Sequence, residues 1–221
     1  MRIFLGLILL ILLGETDCPG QSCSDFYYFK KDKAVAFIQY DSEGNILGKN
    51  IGIIKNVSVG NGMALSDYPI LNYDADGYIR DELTTRVLCM KNNLKINFSI
   101  PDLPGTETYL SYPSDMKTGQ KLDKDINRYF EIIVEDRKTG VFFSITDRKV
   151  IGQEIVKTSA GEFKSEKIQY NLNVKYDVAG TLIPSNKKII EWFSPGNGIV
   201  KKEFYTMDGV LEGSSILAKF N

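Results

Sequence analysis

Hydrophobic and polar residues alternate without exception from Lys167 to Tyr176: Ile168, Tyr170, Leu172, Val174 and Tyr176 fall on one face, Lys167, Gln169, Asn171, Asn173 and Lys175 on the other. A period of two specifies an antiparallel strand with one buried and one wet face. Looser alternation predicts strands over Ala34–Tyr40, Ile46–Val59, Met63–Tyr73, Tyr78–Met90, Leu94–Ile100, Ile126–Asp136, Val141–Thr146, Phe163–Tyr176 and Lys187–Phe193, and from Ile199 onward. Turn-forming residues separate them, as in Lys138-Thr139-Gly140, Thr158-Ser159-Ala160-Gly161 and Ser194-Pro195-Gly196-Asn197-Gly198.

Four of the turns share a grammar. Tyr40, Tyr73, Tyr176 and Tyr205 each precede, by four residues, a glycine: Gly44, Gly77, Gly180 and Gly209. In three of them an aspartate follows the tyrosine, placed to bond the backbone two residues on, while the glycine takes the positive-φ position of a hairpin turn. The pattern breaks only between Pro101 and Lys124, where Pro101, Pro104, Pro113, Gly105 and Gly119 predict a long irregular crossover between two halves of a sheet. Asp123–Arg128 is expected to form at most a helical turn. The fold class that follows is all-β: a strongly curved antiparallel meander or incomplete barrel, in one domain spanning 21–221, with little helix.

Composition supports this reading and narrows the function. The 221 residues are 43% hydrophobic, enough for one well-buried core, and the twelve tyrosines, twelve phenylalanines and single tryptophan favour sheet. Residues 1–20 begin with Met1-Arg2 and an apolar run from Ile3 to Leu13, too short to span a bilayer and of the length of a secretory leader. Cleavage is expected after Gly20 or after Gly14, leaving no membrane span. Removal of residues 1–20 would leave 26 basic against 26 acidic residues, with no electrostatic footprint for nucleic acid. Export to the periplasm, the outer surface or the medium is therefore expected.

Histidine is absent. That excludes Ser-His-Asp and Cys-His nucleophile pairs and histidine metal sites. No cofactor and no catalytic residue is assigned. Export also changes what the cysteines mean, because thiols in an oxidising compartment tend to pair. A cut after Gly20 leaves Cys23 and Cys89, and the simplest arithmetic joins them, the alternative being two free buried thiols. Asn72-x-Asp74-x-Asp76-Gly77 imitates the start of a calcium loop, but its twelfth position is Leu83 and its flanks read as strands, so a hairpin explains the same residues and no metal site is assigned. Glu191, the one acid in an apolar strand, is expected on the solvated face opposite Trp192.

Cys23 followed by Asp25-Phe26-Tyr27-Tyr28, the Tyr40–Gly44 hairpin, Cys89 after a strand, Thr118-Gly119-Gln120-Lys121-Leu122, the Thr158–Phe163 turn, and Glu191-Trp192-Phe193 with Ser194–Lys201 resemble, in that order, the TapB-like exported proteins of Bacteroidota, related to a domain of unknown function. The resemblance implies an exported all-β protein in which Cys23 and Cys89 fall where similar sequences carry a cysteine pair. It implies no reaction. The expected role is a non-enzymatic envelope or secreted protein whose concave face holds an apolar, lipid-like or amphipathic ligand, with Tyr170, Tyr176, Trp192 and Phe204 as the candidate lining. The competing expectation is a structural or assembly factor that pairs a sheet edge with an envelope protein.

Overall fold

In the computed structural model, which describes residues 23–91, 93–98, 108–134, 137–178 and 180–220, the alternating pattern becomes thirteen antiparallel strands in one sheet. Two short 3-10 turns, Cys23–Asp25 and Tyr27–Phe29, precede them. The first seven strands are β1 (Ala34–Asp41), β2 (Ile46–Ile53), β3 (Asn56–Gly60), β4 (Met63–Asp74), β5 (Ile79–Met90), β6 (Asn93–Asn97) and β7 (Tyr109–Pro113). The remaining six are β8 (Ile126–Val134), β9 (Arg137–Thr158), β10 (Gly161–Val178), β11 (Thr181–Ser194), β12 (Gly198–Tyr205) and β13 (Leu211–Phe220). The expected leader, residues 1–20, lies outside the described residues.

Each half is a meander, and the halves are joined through β1 and β13, paired from Val35↔Phe220 to Asp41↔Gly213 with one register shift between Ala36 and Phe37. The path across the sheet runs β7-β6-β5-β4-β2-β1-β13-β12-β11-β10-β9-β8, with β3 on β4. The curl is plain from contacts between its distant parts. Tyr112 of β7 stacks on Phe193 of β11 at 4.7 Å, although eight places separate the two strands along that path. Phe98, just after β6, meets Phe143 of β9 at 5.4 Å. The concave faces thus close on one another and form the core, as sheet twist and the inward apolar faces require.

Several strand limits differ from those read from the pattern. The predicted strand Ile46–Val59 divides after Ile53, because Ile54 is buried and its backbone bonds Asp32 and Lys33, turning the chain before β3 joins β4. The turn expected at Lys138-Thr139-Gly140 is interior to β9: these residues pair with Ile133, Ile132 and Glu131, and the ladder continues to Val134↔Arg137. The Pro101–Lys124 stretch contains β7, and its later part runs against β9, with Gly119 N–H donating to Val150 O and Val150 N–H to Gln120 O. No helical turn forms at Asp123–Arg128; Asp123 takes a left-handed φ of 50°, and Ile126 enters the ladder opposite Ile145. The four tyrosine-to-glycine turns form as hairpins. At the first, Asp41 Oδ1 accepts from the N–H of Glu43 at 2.9 Å, the bond expected of such an aspartate.

Candidate functional site

The sequence Phe26-Tyr27-Tyr28-Phe29 is apolar throughout and offers no alternation, so no strand can hide one face of it. It is buried instead inside the curl, all four side chains at 6% exposure or less. A disulfide between Cys23 and Cys89 of β5 fixes this aromatic plug to the sheet wall. The Tyr27 and Tyr28 rings are tilted 39° to each other with centroids 3.9 Å apart, and Tyr28 faces Tyr68 of β4 at 6.4 Å. Two glycines make room for these rings. A Cβ at Gly198, whose φ is +110°, would stand 2.5 Å from the Tyr28 ring, and one at Gly52 would stand 2.7 Å from the Tyr68 ring.

Next to this tyrosine layer the concave face leaves a cavity of about 300 Å³. Val35, Phe37, Ile70, Ile96, Ile199 and Phe204 supply its apolar wall. Gln39, Asn50, Thr85 and Ser215 supply uncharged polar groups, the Gln39 amide donating to Asn50 Oδ1 at 3.0 Å. Lys202 of β12 is the one charged residue among the described residues of the lining.

Behind Lys202 is a cluster that the alternation concealed. Glu191 of β11 is fully buried, and Oε1 accepts from Lys202 Nζ at 2.8 Å and from the Tyr170 hydroxyl at 3.0 Å. Its other oxygen accepts from the Tyr112 hydroxyl at 2.8 Å, with Arg148 Nη2 at 4.0 Å. Arg148, itself buried, donates through Nη1 to Asp123 Oδ2 at 2.6 Å and to the Ser111 carbonyl at 2.7 Å, and lies 4.4 Å from the centre of the Tyr112 ring. The expectation of a solvated Glu191 is therefore corrected. Cross-strand pairing with Ile168 and Lys202 places it on the concave face, where two cations and two hydroxyls offset the cost of burying its charge.

Burial alone would raise the Glu191 carboxyl, but the Lys202 ammonium, the Arg148 guanidinium and the hydrogen bonds of Lys202 and Tyr112 outweigh it and hold the group below its ordinary value. Burial, followed by the charge of Glu191, drives the Tyr112 and Tyr170 hydroxyls well above theirs. The carboxylate stays ionised and the phenols stay protonated through the neutral range. What this arrangement can do is hold a fixed ammonium at the cavity wall and tie β7, β9, β10, β11 and β12 together.

Of the four aromatic residues singled out from the sequence, Phe204 lines the cavity. Tyr170 is on the same concave face but spends its hydroxyl on Glu191. Tyr176 stands near the far end of β10, 36% exposed. Trp192 is on the convex face, opposite the other three: it pairs with Lys167 and Lys201, whose ammonium groups lie 4.8 and 4.5 Å from its ring, and its indole N–H donates to Glu154 at 2.6 Å. Its side chain is 1% exposed. Sequence reading missed Lys202 and the plug as cavity residues. The run of four aromatics beginning at Phe26 was the available signal.

Among the described residues no group of three or more His, Cys, Asp or Glu side chains is placed to hold a metal ion, and no helix is long and apolar enough to cross a membrane.

A family model described as DUF3108-like matches residues 28–217, from the plug to the middle of β13. The chain belongs to the DUF3108-like family. That match carries no TapB-like name. Two solved structures share the DUF3108-like chain's fold. A candidate lipoprotein from Parabacteroides distasonis, 18% identical, superposes with a TM-score of 0.73 over 89% of this chain and 98% of its own. A candidate exported protein with a YmcC-like fold from Bacteroides fragilis, also 18% identical, gives 0.69 over the same shares. No curated protein sequence matches the chain.

Proposed function

We propose that this DUF3108-like protein is an exported, non-enzymatic binding protein that holds a small amphipathic molecule in its concave cavity. The observation that carries this reading is the cavity of about 300 Å³ on the inner face, apolar over one wall and amide- and hydroxyl-bearing elsewhere. Pockets of this size and mixed lining suit small-molecule ligands. Residues 1–20 serve in this reading as a cleaved leader, and residues 21–221 as the single mature domain, in the periplasm, on the outer surface or in the medium. The lipoprotein and exported designations of the two similar structures support that location. Phe204 joins Phe37 and the tyrosine layer as an aromatic contact, with Lys202 rather than Trp192 beside it.

Extraction of the protein from its native cell envelope without denaturant, followed by mass spectrometry of what co-elutes, tests the proposal. A stoichiometric small amphiphile is expected, and its loss when Ser215→Phe fills the cavity. A protein that emerges empty from every native fraction would sink it.

A second reading is favoured by one feature: β8 ends the sheet path, and Tyr129 on it, 55% exposed, packs against Phe142, 44% exposed, at 4.8 Å. A partner strand laid along β8 would cover both rings. A photo-crosslinking residue at position 129 would capture an envelope protein if this edge is used.

A further inference from the structure

We infer that the ligand's head group carries a single negative charge and that Lys202 is the residue that holds it, a conclusion that rests on the cavity-binding reading above. Among the described lining residues no carboxylate faces the cavity, and Lys202 alone is charged. A cationic ligand would meet no counter-charge there and would stand close to a fixed ammonium. An anionic one meets a preformed partner.

The ammonium is built into the wall rather than left on a free stem. Glu191 Oε1 takes one of its three donors at 2.8 Å, and Glu191 is itself anchored by Tyr112, Tyr170 and Arg148. The lysine side chain retains 29% exposure against none for Glu191, so the open side of this ion pair belongs to the cation. Because Arg148 stands behind the carboxylate as a second cation, Glu191 keeps a counter-charge when Lys202 also serves a ligand.

Size sets the rest of the molecule. At the roughly 30 Å³ that a water molecule occupies in the liquid, the cavity holds about ten heavy-atom groups. A medium-length alkyl carboxylate fits both descriptions, with its chain against Val35, Phe37, Ile70, Ile96 and Phe204.

The test uses three probes of equal chain length, decanoate, 1-decanol and decyltrimethylammonium, titrated calorimetrically into the mature protein below their micelle concentrations. Decanoate is expected to bind about tenfold more tightly than decanol, the order of magnitude of one hydrogen bond to a charged group, and the cationic probe more weakly than either. Lys202→Met should erase the preference for decanoate and leave decanol unchanged; Lys202→Arg should restore much of it. Since Lys202→Met strips Glu191 of a partner, the double variant Lys202→Met/Glu191→Gln provides the same comparison with both charges removed. Equal affinities for decanoate and decanol, or a preference for the cation, would overturn the assignment to Lys202 while leaving the cavity reading intact. Failure of all three probes to bind would overturn both.

Discussion

Replacing Glu191 by alanine should be among the most damaging single changes to this protein. The carboxylate has no exposure and accepts from Lys202, Tyr170 and Tyr112, which come from three different strands. Removing one member of a buried ion pair costs about 3–5 kcal/mol, because the partner charge stays buried. The two cations bear that loss unequally. Lys202, 29% exposed, can turn toward water in the cavity, whereas Arg148, 2% exposed, keeps only Asp123 as its counter-charge. For a domain of this length, a loss of that size lowers the melting temperature by roughly 10 °C. Thermal and urea unfolding followed by far-UV circular dichroism measure it directly. Acid titration gives an independent check. The folded carboxyl lies below its ordinary value, so its stabilisation is complete above the unfolded value of about 4.3 and is lost as pH falls through the folded pKa. The stability difference between wild type and Glu191→Gln should be constant from about pH 5 upward and shrink below about 4.3. A cost for Glu191→Ala under about 1 kcal/mol, with no acid-side convergence, would refute the view that this cluster holds the curl closed.

Three further outcomes are expected. Cys23→Ser/Cys89→Ser opens a loop of 66 residues in sequence separation, and the chain-entropy relation puts the cost at about 4 kcal/mol; denaturant midpoints with and without reductant check it. Gly198→Ala should lose about 2 kcal/mol or more, since it combines a positive φ with an overlap on the Tyr28 ring, and it should also weaken ligand binding measured by calorimetry. Trp192→Phe removes the indole N–H bond to Glu154 on the convex face and should lower stability by roughly 1–3 kcal/mol while leaving affinity for decanoate unchanged.

The ladder from Lys167 to Tyr176 was legible because each of its residues obeys the period of two, and the structure keeps Ile168, Tyr170 and Val174 buried. The concave cluster was not legible, for a reason visible at Asp147. That residue adopts a left-handed φ of 56°, and the register between β9 and β10 shifts beside it. A shift of one residue exchanges the two faces of a strand, and it turns Arg148 inward, where simple alternation gives no reason to expect an arginine. Glu191 was misplaced for a related reason. Trp192 on the convex face is as buried as Glu191 on the concave one, with the Lys167 and Lys201 ammonium groups against its ring, and hydrophobicity alone could not say which residue faced the cavity. The Cys23–Cys89 disulfide was legible only once Cys18 was set aside with the expected leader, since three cysteines by themselves do not fix a pair. Lys202 carried no signal in the chain, because its importance comes from Glu191 behind it and the space in front of it.

The seam between β1 and β13 has a consequence for the protein's biogenesis. The first strand of the sheet finds the partner for its second side, Leu211–Phe220, between 172 and 185 residues further along the chain. Pairings so distant in sequence form late, because the entropy of closing the loop is lost before the contacts compensate it. Until the seam forms, β1 presents an unsatisfied row of amides and carbonyls, the template on which chains stick to one another. The period of greatest exposure to misassembly thus precedes closure of the seam, and a variant lacking Leu211–Phe220 would make it permanent.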